Sequence, residues 1–191
     1  MTTPRYPVTV AKAPPVARFE IVGSRSDLAA TLVAAGLPTP TSNASWAPGP
    51  GGTRVGWIGP RRMIVTTAQG DRERWGTLLR AAVPTGTAVA VADVTGATVT
   101  FSLRGSGVDS VLSQGFAHDL ATLREGTDRF LATDAWGVAA LIEQIDGGVA
   151  ITVEASFGDF IEHMLRTAAG LPTSSKPGVM SAPPPPVRVV R

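Results

Sequence analysis

The chain has 191 residues, 43% hydrophobic and 17% charged, which is enough apolar side chain for a real core and too much for a disordered or fibrous polymer. It contains no cysteine, which excludes disulfides, thiolate metal sites and a cysteine nucleophile. The formal net charge is only +2 but is split, because residues 93–162 hold eleven acidic and three basic residues and the remainder is basic.

Taken in chain order, residues 1–16 hold four prolines and read as an extended N-terminal arm. They lack the apolar segment of a secretory signal, and no apolar run approaches the ~20 residues of a membrane span, so a cytoplasmic protein is expected. Residues 16–23 (VARFEIVG) alternate as a strand does, and 27–35 follow as a helix with Ser26 as N-cap. The Pro-, Gly- and Ser-rich stretch 37–52 reads as a long surface loop. Strands are predicted at 54–58 and 63–67 around a Gly59-Pro60 turn, then a helix at 71–83 whose Trp75, Leu78, Leu79 and Ala82 share a face. Strands at 87–92 and 97–103 flank a turn opened by Asp93, an aspartate placed to cap that turn.

A short helix is expected at 108–114, strands at 129–133, 138–144 and 149–153, and a closing helix over 157–169. The apolar face of that helix is Phe157, Phe160, Ile161, Met164, Leu165 and Ala168. Residues 171–191, with Pro183, Pro184, Pro185 and Pro186 in succession, form a tail that favours polyproline II and is a candidate strap on a partner. The fold class is therefore α+β. FEIVGS at 19–24 is echoed by FSLRGS at 101–106, and LRAA at 79–82 by LRTA at 165–168. These echoes suggest two ferredoxin-like βαββαβ-type halves, 17–93 and 94–170, related by a pseudo-repeat.

Catalytic chemistry is hard to find. His118 and His163 stand 45 residues apart with no zinc or nucleophile motif around them. The Gly49-Pro50-Gly51-Gly52 run lacks the Lys-Ser/Thr of a phosphate loop, and Gly105 and Gly107 are followed by Ser110 where a dinucleotide fingerprint needs glycine. Basic residues such as Arg61, Arg62, Arg72, Arg74 and Arg80 are scattered, with a single tyrosine in the chain, which argues against nucleic acid and fits docking on charged protein surfaces. No catalytic, cofactor-binding or metal residue is assigned. Trp57, Arg61, Arg62, Trp136 and the four tail prolines are the interface candidates, since Trp and Arg are enriched at interface cores.

Three stretches carry a family resemblance: 55–65 (VGWIGPRRMIV), 92–120 with its Ala92-Asp93-Val94-Thr95-Gly96 opening, and 151–160 (ITVEASFGDF). In this order they resemble the gamma subunit of heterotetrameric sarcosine oxidase, a member of the folate-binding aminomethyltransferase-like fold family, over residues 16–170. The resemblance implies a non-catalytic subunit packed on alpha, beta and delta partners. Those partners would carry FAD, FMN, NAD, zinc and tetrahydrofolate while this chain carries none. The implied complex demethylates sarcosine to glycine, passes the one-carbon unit to tetrahydrofolate and produces hydrogen peroxide. Gly105-Ser106 stands where the family has Gly-Pro, and Glu154-Ala155 replaces a basic pair. These departures leave room for a related N-methyl amine demethylase. A stand-alone folate-binding protein is the alternative of a different class.

Overall fold

The structure, a computed structural model, describes residues 5–116, Leu123 and residues 128–173. His118 and the Pro183–186 run lie outside these residues.

Among the described residues, ten strands and four α-helices follow in the order β1 (Thr9–Lys12), β2 (Val16–Val22), α1 (Arg25–Ala34), β3 (Trp46–Pro48), β4 (Arg54–Gly59), β5 (Arg62–Ala68), α2 (Arg72–Ala81), β6 (Ala90–Asp93), β7 (Thr98–Arg104), α3 (Val108–Leu112), β8 (Phe130–Ala135), β9 (Val138–Ile145), β10 (Gly148–Glu154) and α4 (Gly158–Ala169). They form two five-stranded antiparallel sheets, ordered β3-β4-β5-β2-β6 and β1-β7-β10-β9-β8. The two orders share one pattern. The edge place that β6 takes beside β2 is taken beside β7 by β1, from the far N-terminus.

Alternation within the strands decides the layers. In β2, Ala17, Phe19 and Ile21 are fully buried against Leu28 and Leu32 of α1 and Trp75 and Leu79 of α2. In β7, β9 and β10, Phe101, Leu103, Ile142 and Ile151 face Val111 and Leu112 of α3 and Ile161 and Leu165 of α4. Because a strand's side chains alternate, the opposite faces are left over, and these meet each other. Trp46 and Ile64 of the first sheet cluster there with Phe130 of the second. The result is helices outside and two sheets face to face inside.

Local chemistry sets the ends. The N-cap of α1 is Ser24 rather than Ser26: its Oγ accepts from the Asp27 backbone N–H at 3.2 Å and donates to the Asp27 carboxylate at 2.7 Å. Phe157 precedes α4 instead of lying on its apolar face and is 39% exposed. Gly170, at φ 70°, ends α4 in the left-handed conformation that closes many helices. The β8–β9 hairpin turns on Trp136 (φ 48°) and Gly137 (φ 79°), the two positive φ values of a type I′ turn.

Two expected irregular stretches are structured in part. The N-terminal arm contains β1, whose Thr9 to Lys12 pair with Arg104 to Phe101, and whose neighbour Val8 is buried in the second core. Prolines flank β1 without interrupting it, as an edge strand tolerates. The loop expected at 37–52 contains β3, a three-residue edge strand on β4. It links the sheets: the Trp46 N–H donates to Asp128 O at 2.6 Å and the Phe130 N–H to Ala44 O at 3.1 Å.

Candidate functional site

The face where the sheets meet is the chemically distinctive part of the molecule. At its centre Arg54 of β4 grips Glu143 of β9, with Nη1 donating to Oε2 at 2.7 Å and Nη2 to Oε1 at 3.2 Å. Glu143 is 8% exposed at its side chain. The Arg54 guanidinium also lies over the Trp46 ring, 4.5 Å from its centroid, so one arginine joins an ion pair and a cation–π contact. Arg18 of β2 is buried in the same seam and donates from Nη1 to Thr98 Oγ1 at 2.7 Å. Burial holds its pKa below the ordinary arginine value, the Glu143 charge opposes that, and the Arg54 charge reinforces it. Thr100 and Thr152 exchange a hydroxyl hydrogen bond of 2.8 Å beside them. Arg18 Nε, Trp46 Nε1 and Thr66 Oγ1 are buried there without protein hydrogen-bond partners.

Asp93 does what its position promised. Its Oδ1 accepts from the Thr95 N–H at 3.0 Å, capping the turn, and its Oδ2 accepts from Arg72 Nε at 2.8 Å. The hydrogen bond from Arg72 is the main cause that lowers the Asp93 pKa to about 2, from 3.8. A lowered carboxyl pKa contributes stability above pH 4, lost as pH falls from about 4 towards 2. Both side chains reach solvent, so screening holds the effect to roughly 0.5 kcal/mol or less. We therefore expect Asp93→Asn to flatten only the acid limb of the urea-stability profile. A loss of stability at pH 7 above about 1.5 kcal/mol would instead show the turn itself failing.

The interface candidates separate in space. Trp57 belongs to the first helical core: it is 8% exposed, its Nε1 donates to Gly59 O at 2.6 Å, and Arg25 covers its ring at 4.3 Å. Arg61 is exposed at the β4–β5 hairpin tip, where its carbonyl accepts from the Gly23 N–H at 3.1 Å. Arg62 is exposed and paired to Glu20 at 2.6 Å, which raises its pKa. Trp136 is half-buried, edge-on to Phe116 at 5.5 Å, and donates from its backbone N–H to Gly115 O at 2.8 Å. Trp57, Arg61 and Arg62 thus share the β4–β5 hairpin of the first sheet, Trp136 stands on the β8–β9 turn of the second, and Pro183–186 lie outside the described residues. The seam residues Arg18, Arg54 and Glu143 were not among the candidates, because alternating polar positions on a strand look like a solvent face.

Among the described residues no group of three or more His, Cys, Asp or Glu is arranged to hold a metal ion. Among them, too, no helix is long and apolar enough to cross a membrane.

This architecture, an α+β fold with two antiparallel sheets and four helices among the described residues, is similar to that of a sarcosine oxidase chain and an aminomethyltransferase of known structure. In particular, the chain is similar to a chain of the heterotetrameric sarcosine oxidase of Corynebacterium sp. U-96, solved in complex with pyrrole 2-carboxylate. The TM-score is 0.76 at 20% identity, covering 88% of this chain and 87% of that one. It is also similar to aminomethyltransferase T of the glycine cleavage system of Bartonella henselae, with TM-score 0.58 and 11% identity over 85% of this chain but 46% of that one. At these identities the likeness is one of fold. No protein-family model matches the sequence, and no curated protein matches it.

Proposed function

We propose that this chain is a non-catalytic, gamma-type subunit of a heterotetrameric, flavin-dependent sarcosine oxidase. The observation that carries the reading is coverage. The likeness to the Corynebacterium oxidase chain runs over nearly the whole of both chains, whereas the aminomethyltransferase is more than twice the matched length. The family resemblance of residues 55–65, 92–120 and 151–160 points the same way. In this reading FAD, FMN, NAD, zinc and tetrahydrofolate belong to the alpha, beta and delta partners. The assembled complex oxidises sarcosine to glycine, transfers the one-carbon unit to tetrahydrofolate and releases hydrogen peroxide.

This chain's own contribution is a rigid scaffold. Two sheets locked face to face by the Arg54–Glu143 pair hold the hairpin tip with Arg61 and Arg62, and the turn with Trp136, in fixed positions. Those residues and the Pro183–186 tail are our proposed partner contacts. The shared strand order of the sheets, with Phe19 and Phe101 in matching places, supports reading the halves as copies of one unit.

The test is affinity capture of the tagged full chain from its own host under gentle conditions. We expect three co-purifying chains of different size and an eluate with the blue-region absorption of flavin. A colourless eluate without stoichiometric partners overturns the subunit reading. If the isolated chain then binds tetrahydrofolate at micromolar concentration, about 8 kcal/mol of binding free energy, the stand-alone folate protein takes its place.

A further inference from the structure

We propose that the cleft where the sheet seam opens beneath the N-terminal crossover binds a small monocarboxylate, held by the guanidinium of Arg18. The cleft has a volume of about 260 Å³ and is walled by Pro14, Pro15 and Val16 on one side and by Arg18, Arg72 and Thr98 among its polar lining. Arg18 is 7% exposed, and its Nε has no hydrogen-bond partner in the protein. Trp46 Nε1 and Thr66 Oγ1 share that condition, but they are neutral and do not line the cleft.

The arginine is held in place before any ligand arrives. Its backbone N–H donates to Thr95 Oγ1 at 2.9 Å, its carbonyl accepts from the Val94 N–H at 2.9 Å, and its Nη1 is tied to Thr98. What remains without a partner is Nε, which is closed to solvent in this structure, so a carboxylate in the cleft meets that edge of the guanidinium with its two oxygens only as the lining side chains move aside. Charge points the same way. Among the described residues the seam sets Arg18 and Arg54 against Glu143 alone, and both oxygens of Glu143 are engaged by Arg54. The nearby pairs Arg72–Asp93 and Arg62–Glu20 are each neutral. One positive charge is left unmatched in a place where burying it is costly.

A monoanion balances that charge; a phosphate dianion would overshoot it. The proline–valine wall suits a short apolar body behind the carboxylate. The cleft is complete within this chain, so binding needs no partner subunit and stands or falls independently of the oxidase reading.

The experiment is side-chain NMR of the ¹⁵N-labelled full chain, following the arginine Nε–Hε signals. Propionate, inorganic phosphate and chloride are titrated separately at matched ionic strength. With propionate the Arg18 signal is expected to shift and saturate with a Kd of about 1 mM or tighter, while Arg62 stays still. Arg18→Lys keeps the charge but loses the fork, and should weaken binding at least about ten-fold, read from the Nε–Hε signal of Arg72 in the same cleft. Should that variant fail to fold, Arg72→Gln, at a side chain 48% exposed, leaves Asp93 unpaired at the rim and should weaken binding several-fold. Shifts that never saturate, or that match chloride, overturn the site. So does saturation that survives both substitutions unchanged. Tighter binding of phosphate than of propionate overturns the carboxylate assignment.

Discussion

Glu143→Ala is expected to lower the stability of the chain by about 2–4 kcal/mol, read from the urea midpoint at unchanged slope. Removing the carboxylate strips Arg54 of both its charge-assisted hydrogen bonds and deprives buried Arg18 of the charge that opposes its desolvation. Breaking a fully buried pair by truncating one partner costs about 3–5 kcal/mol. Arg54, with its side chain 39% exposed, can turn partly towards water, which moves the expected loss about 1 kcal/mol below that range. A second variant separates charge from packing. Combining Glu143→Leu with Arg54→Met removes one charge of each sign and should recover at least half of the loss, since apolar replacement of a buried pair is often near neutral. The recovery has a ceiling, because Arg18 then faces the seam without Glu143. If Glu143→Ala costs under about 1 kcal/mol, the two sheets are held chiefly by the cluster of Trp46, Ile64 and Phe130 and the hydrogen bonds that cross beside it.

The same seam shows where the sequence was readable and where it was not. The helices over 72–81 and 158–169 were visible because their apolar residues recur at helical spacing and those faces are buried. The hairpins were visible because glycines mark their turns. Asp93 was identified as a turn cap from its neighbours alone, and the structure shows that hydrogen bond.

Three features were hidden for different reasons. Strand β3 has only three residues beside prolines, too short to carry a period, so its Trp46 read as part of a loop. The four residues of β1 lie in a proline-rich stretch, and their partner β7 is some ninety positions away, a pairing no local pattern reports. The seam itself was disguised. Arg18, Thr66, Glu143 and Thr152 alternate with core residues as solvent-facing positions do, and only a second sheet laid on that face buries them. Polar alternation says that one face differs from the other; it does not say that the polar face is wet.

Gly105→Ala should be among the most damaging single-methyl additions in the chain, at about 3 kcal/mol or more, because two costs fall on the same atom. The residue sits at φ +123°, a conformation that L side chains rarely adopt, and a Cβ there would lie 2.2 Å from the carbonyl oxygen of Pro7, with the carbonyl carbon of Pro7 and the Cα of Val8 next nearest. All three neighbours are backbone, so no flexible side chain can swing aside. Relief requires the N-terminal segment to lift away. That movement breaks the pairing of Thr9 to Lys12 with β7, takes Val8 out of the second core, and releases the Gly107 N–H from Pro7 O. Gly96→Ala supplies the comparison. Its φ is +86°, but nothing stands within 4 Å of the added methyl, so only the conformational cost of about 1 kcal/mol applies. Urea midpoints measure the difference, and trypsin reports its cause: Gly105→Ala should be cut after Lys12 far faster than Gly96→Ala. Equal stability of the two variants would mean that β1 lies loosely on the sheet and is free to act as an arm. The larger loss at Gly105 makes it a structural strand, so that a truncation of the first twelve residues made to test partner docking would unfold the second sheet's edge instead.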